Sequence, residues 1–196
     1  MLLAGVFFAL MNVSVKFIPH IPAIEIILFR SIFSLIFSYV FLKNQKIPVF
    51  GNNKKLLVIR GIVGSVGLIG FFYTLQKIPL ASAVTIQYLS PIFSGLAYNV
   101  IRKLKNTEHP LVIIFYFPLV TLPVASLISY FTWVQPIGWD WLILLWIGIC
   151  TQAAQYFMTV AYQNANVSKI SSLSYLGILY ALFFGFVLFG ETFGIM

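Results

Sequence analysis

Acidic residues are almost missing from this chain: four Asp and Glu stand among 196 residues, against twelve Lys and Arg. Only 8% of the residues are charged, whereas a soluble domain carries about a quarter. A surface so poor in charge cannot be solvated by water, which excludes an ordinary soluble domain. The scarcity of acids also removes most chemistry. Glu25, Glu108, Asp140 and Glu191 are scattered at the ends of apolar runs, with no two placed for general acid–base work. The single cysteine, Cys150, can form no disulfide within the chain and reads as core packing. His20 and His109 lie far apart with no Cys or carboxylate at ligand spacing, so no metal site is expected. Neither a nucleophile motif nor a phosphate loop is present. Enzyme activity, ATP-driven transport within this chain and a bound cofactor are therefore not expected.

What is present is hydrocarbon. Hydrophobic residues make up 61% of the chain, and the mean hydropathy is +1.00. Apolar runs occupy 1–18, 24–42, 56–76, 80–101, 110–131, 140–163 and 168–189. Their lengths suit helices crossing about 30 Å of hydrocarbon, not the ten-residue alternation of a membrane β-barrel. The expected fold is all-α: a polytopic transmembrane helical bundle of about seven spans, with the lipid bilayer as its first partner. The run at 1–18 has no charged leader or cleavage site and reads as a first span, not a removable signal.

The net charge of +8 does not point to nucleic acid, because the basic residues gather at the ends of apolar runs with no basic stripe among exposed aromatics. Lys43, Lys46, Lys54, Lys55 and Arg60 form one cluster, and Arg102, Lys103 and Lys105 another, while the 132–139 loop has no basic residue. Counting spans from a cytoplasmic N-terminus puts both clusters inside and the bare loop outside, as expected for a multi-pass protein of the cytoplasmic membrane. Trp133, Trp139, Trp141 and Trp146 surround that loop like an interfacial belt.

A weak internal repeat lies at an offset of 87 positions, where FYTLQKIPLASAVTIQYL overlies TVAYQNANVSKISSLSYL. Tyr88-Leu89 falls on Tyr175-Leu176, and the two copies face opposite ways in the span count. Such inverted repeats are a signature of secondary transporters, although chance similarity between apolar helices also produces weak matches.

The stretches EIILFRSIFSL (25–35), RGIVGSVGLIGFFYTLQKIPLASAVTIQYLSPIF (60–93), TEHPLVIIFYF (107–117), QAAQYFMTVAYQNANVSKISSLSYLG (152–177) and LFGE (188–191) resemble the EamA-like permeases of the drug/metabolite transporter superfamily. The resemblance implies two inverted five-helix halves, of which residues 1–96 would hold the first and 97–196 the second. It also implies that about three of ten helices are missing. The 80–101 run would then fuse the front of the fourth helix to the tail of the sixth, and a tenth would follow FGETFGIM.

Several polar residues inside spans are candidates for a substrate site. Arg30 is the basic residue set well within a predicted span, where an unpaired charge costs several kcal/mol (about 2.5–3.5 on insertion scales). It serves a substrate or gate, or it snorkels or pairs structurally with a neighbour such as Glu25. Gln152 and Gln155 share a helix face and suit a polar organic solute, or they glue helices together. Gln87, Tyr88 and Tyr175 stand at or beside the repeat-matched positions, with Tyr73, Tyr156 and Asn12 as further candidates. Pro91 removes a backbone hydrogen bond near Gln87 and is expected to kink its helix, lining a cavity or merely packing. Gly61, Gly64, Gly67 and Gly70 recur every three residues and read as a close-packing face. The expected function is secondary transport of a small organic metabolite or drug by alternating access, with room for a homodimer. A truncated, non-transporting helical scaffold is the alternative.

Overall fold

Proline and asparagine set where the helices begin. In the computed structural model, which describes residues 1–89, 98–164, 170, 173 and 175–191, α1 spans Leu2–Phe17. Helix α2 (Ala23–Asn44) starts directly after Pro22, and α3 (Lys54–Lys77) is capped by the Asn53 side chain, which accepts from the Leu56 N–H at 3.5 Å. Pro79 precedes α4 (Leu80–Leu89), and Pro110 occupies the first turn of α5 (Pro110–Thr132), where its missing N–H costs nothing. Helix α6 covers Asp140–Asn164 and α7 covers Leu176–Phe189. The last ends on Gly190 at φ +61°, the left-handed cap that glycine adopts without a Cβ clash. A helical segment at 98–103 lies between α4 and α5, and no strand occurs among the described residues.

Helices α2, α3, α5 and α6 are long and apolar enough to cross a membrane. At about 1.5 Å per residue, the 16 residues of α1 and 14 of α7 make shorter apolar helices. The expected seven spans thus resolve into four full-length helices, two shorter ones and α4. The proposed fusion point near 96–97, together with Pro91, lies outside the described residues.

Polar contacts tie the helix ends into two opposite faces. At one end His20 meets Asp140 at 2.9 Å, the Val134 N–H donates to Glu25 at 3.0 Å, and the Leu80 N–H donates to Glu191 at 2.9 Å. Glu191 also pairs with Lys16. At the other end the Asn53 N–H donates to Glu108 at 2.6 Å, and the Gln163 amide donates to the Glu108 carbonyl at 3.3 Å. These contacts make the chain run up and down, with Lys43, Lys46, Lys54, Lys55 and Lys105 at the second, basic end and the tryptophan-rich 133–139 loop at the first.

Neighbouring helices close a ring in the order α3, α5, α2, α6, α1, α7, α4 and back to α3. The ring respects the sequence repeat. Helix α2 packs on α5, and the contact of α3 with α5 has its counterpart in that of α6 with α2; α4 packs on α7. In each pair matched at the 87-residue offset, α2 with α5 and α3 with α6, the two helices start at opposite ends, so the bundle is built of inverted repeats. Small residues permit the close approaches. A Cβ on Gly148 of α6 would come within 2.7 Å of the Phe33 side chain on α2. The outer surface is apolar, with Leu127, Tyr130, Phe131 and Trp139 exposed, as lipid contact requires.

Candidate functional site

One wall of the ring's interior is shaped by glycine and proline. On α3, a Cβ at Gly61 would press against Val120 of α5 at 2.7 Å, and one at Gly64 against the Phe117 ring. These two glycines bring α3 against α5 as the repeat of glycines suggests, whereas Gly70 has open space before it. On α5, Pro118 and Pro123 leave the carbonyls of Ile114 and Leu119 without their helical donors, which loosens the helix beside Phe117. The Thr121 hydroxyl donates instead to the Phe117 carbonyl at 2.8 Å and meets Ser65 of α3 at 2.5 Å.

Phe117 is shared by two arginines. The Arg60 guanidinium lies 5.3 Å from its ring centroid and that of Arg30 lies 5.9 Å away; Arg30 also stands 5.1 Å from the Phe72 ring. Both arginines are buried, at 2% exposure for Arg30 and 5% for Arg60. The hydrogen-bond acceptor facing Arg30 is the Met11 sulfur at 3.9 Å, a weak one, and Arg60 Nε has no partner among the described residues. No carboxylate among the described residues answers these charges. The four acids of the chain sit at the helix ends: Glu25 accepts from Val134 through one oxygen while its Oε1 has no partner among the described residues, Glu108 accepts from Asn53, Asp140 meets His20 and Ile137, and Glu191 meets Lys16 and Leu80.

The arginines open into a cavity of about 520 Å³ to which each of the seven helices contributes, including Asn12 of α1, Val84 of α4, Gln155 and Tyr162 of α6 and Gly177 of α7. Its size falls within the range of about 300–1,000 Å³ usual for small-molecule sites, and its walls are mostly apolar. The Asn12 amide oxygen is buried with no partner among the described residues.

The structure brings Arg30, Asn12 and Gln155 together on this cavity. Gln152 points elsewhere: its amide accepts from Ser34 at 2.6 Å and donates to Ser38 at 2.9 Å, joining α6 to α2. Tyr73 is 63% exposed on α3, Tyr156 is 39% exposed beside Phe157, and Tyr175 is 56% exposed before α7. Gln87 and Tyr88 belong to α4, but their side chains lie outside the described residues, as does Pro91. By sequence alone Arg60 belongs with the basic loop cluster, and the structure brings it into the cavity instead. Its spacing to Gly64, one turn along the same face, was the available signal.

The EamA-like transporter family model matches the chain twice, over residues 1–97 and 92–196. The chain is similar to the pseudopaline exporter CntI of Pseudomonas aeruginosa, 25% identical over 245 positions that cover 97% of this chain and 86% of the exporter. It is also similar to an uncharacterized transporter of Helicobacter pylori, 25% identical over 98% of this chain and 86% of that protein. A third relative is a riboflavin transporter of Vibrio cholerae, 25% identical over 70% of this chain and 47% of that protein. No solved structure matches. The alignment to the exporter is longer than the 196 residues of this chain, so the exporter has internal segments without a counterpart here. Two matches of one family model, a helical bundle of opposed repeats and a cavity at its centre lead to one assignment: the chain belongs to the EamA-like transporter family.

Proposed function

We propose that this multi-pass membrane transporter is a secondary permease of the cytoplasmic membrane, moving a small organic solute by alternating access of its two opposed repeats. The observation that carries the proposal is the central cavity, to which helices of both repeats contribute. Arg30, Asn12 and Gln155 face the solute in this reading, and the basic end, including the N-terminus, is cytoplasmic. Residues 1–96 and 97–196 are the two moving halves. Gradient-driven movement fits a chain that carries no phosphate loop.

The test is an unbiased comparison of metabolite uptake and release between a strain carrying the gene and its deletion, followed by flux of the affected solute into proteoliposomes without ATP. Arg30→Ala and Gln155→Ala should each cut flux more than they cut expression. Unchanged flux in both variants would remove those residues from the path. A second reading, a helical scaffold that moves nothing, is favoured by the internal segments that the exporter has and this chain lacks. An unaltered metabolite profile together with inert proteoliposomes would select it.

A further inference from the structure

We propose that the cavity is built for an organic anion: a carboxylate or phosphate group between Arg30 and Arg60, with an apolar body against the cavity's mostly apolar wall. The inference rests on the transporter reading above and assigns it a substrate class.

The argument is one of charge balance. Two guanidinium groups are buried beside one phenyl ring, each with a desolvation cost that an opposite charge would offset. A structural arginine brings its counter-ion from its own chain, and here no side-chain carboxylate among the described residues reaches either group. The sequence holds four acids, none of them lining the cavity: Asp140 and Glu191 meet His20 and Lys16, and Glu25 and Glu108 accept from backbone N–H groups, not from a guanidinium. The contacts the two arginines do make, aromatic faces, a thioether sulfur and, for Arg60, the nearby Tyr162 phenol, attract a cation weakly without neutralising it. Each guanidinium therefore keeps planar N–H donors in reserve, and Arg60 Nε is a buried example. An anion within reach of both would satisfy donors and charge together.

The flanking groups fit the same solute. Half-buried Phe8, Val63 and Leu68 supply apolar wall for its body, and Asn12 Oδ1 is a buried acceptor without a partner among the described residues, suited to a hydroxyl or amine on the solute. A cationic solute would meet two like charges and no carboxylate. A neutral one would leave both arginines uncompensated.

The discriminating experiment uses four probes with the same phenyl ring: benzoate, phenyl phosphate, benzyl alcohol and benzyltrimethylammonium. Each is measured in radiolabelled form by equilibrium dialysis against the full chain in nanodiscs of zwitterionic lipid, which offers no competing anionic headgroup. At least one anion should bind saturably and at least about tenfold more tightly than the alcohol and the ammonium, the scale of one charge-assisted hydrogen bond. Preference between the two anions identifies carboxylate or phosphate as the group recognised. Arg30→Gln and Arg60→Gln should each weaken anion binding by about tenfold or more, and Arg30→Lys by less, because the charge remains while the planar fork is lost. If the glutamine variants do not give monodisperse protein, the probe series on the unaltered chain decides alone. Equal or tighter binding of the alcohol or the ammonium would overturn the anion assignment while leaving the permease reading intact. Failure of all four probes would also overturn it, and the metabolite comparison would then judge the permease reading separately.

Discussion

Gln152 and Gln155 stand three positions apart, and the turn of helix between them sends the two amides to different partners. The first is tied to Ser34 and Ser38, and the second faces the cavity. Gln152→Leu should therefore lower the melting temperature in detergent, at about 1 kcal/mol for lost interhelical bonding, and leave solute affinity unchanged. Gln155→Leu should do the reverse. Affinity lost in the first variant, with stability unaltered, would place Gln152 on the path. Periodicity could show that these amides lie near one face, but not which helix that face meets, because Ser34 and Ser38 are more than a hundred residues distant. Arg60 escaped notice for a related reason: five positions after Lys55, it blends into a basic loop by charge alone. Its function in the structure depends on Gly64, whose missing side chain leaves room for the Arg60 guanidinium and the Phe117 ring. Gly64→Val should push that ring and guanidinium aside, costing about 1–3 kcal/mol for overpacking and weakening solute binding. Wild-type affinity in this variant, measured by the same dialysis, would refute the arrangement.

At the scale of elements, the few acids act as staples between helix ends. Glu191 is the clearest, since it joins the end of α1 through Lys16 to the start of α4 through the Leu80 N–H, from its own place after α7. Glu191→Gln keeps the size and removes the charge, so the α1–α4–α7 corner should loosen. Hydrogen exchange at the Leu80 amide should accelerate by roughly tenfold, as expected for a lost charge-assisted bond, and unchanged exchange would deny Glu191 this part. A milder effect is expected at the opposite end. His109 caps α5 by accepting from the Leu111 N–H at 3.3 Å through Nδ1, and partial burial holds the ring below its usual protonation range. A histidine whose folded pKa is lowered stabilises fully above its unfolded value of about 6.5. That contribution is lost as pH falls through the folded pKa, because the ring must take a proton where it now accepts a bond. Proteolysis in the 104–109 loop should therefore increase below neutrality, and His109→Asn, which caps without titrating, should flatten the profile. The helices themselves were legible, because apolar runs near twenty residues admit little else in a bilayer, and the 87-residue offset carries α2 onto α5 and α3 onto α6. Their closure into a ring was not, since lipid-facing and buried positions are both apolar and the pattern that reveals a soluble core is erased.

For the whole molecule, orientation decides which way a solute meets the arginines. The basic end carries Lys43, Lys46, Lys54, Lys55, Arg102, Lys103 and Lys105, whereas the other end carries Lys16, paired with Glu191, and Lys77. Positive loops resist translocation, so the basic end should remain in the cytoplasm and the tryptophan-rich end should face outward. From the basic end, the Arg102 guanidinium donates to the Tyr98 hydroxyl, Tyr98 packs on Tyr162 at 5.5 Å between centroids, and Tyr162 borders the cavity that Arg60 and Arg30 enter. A series of guanidinium groups and rings thus leads inward from the basic end, so with that end in the cytoplasm a proposed anionic solute would meet Arg102 first. The orientation can be tested without removing the native cysteine, because Cys150 is fully buried. Gln45 and Gln135 are exposed in loops at the basic and the tryptophan-rich end respectively. In intact cells, a membrane-impermeant maleimide should label Gln135→Cys and spare Gln45→Cys, and permeabilisation should make the second reactive. The opposite pattern would invert the molecule and make Arg102 the last contact of the path instead of its first. Equal labelling of both sites in intact cells would mean that the chain inserts in two orientations, and charge alone would then not fix its direction.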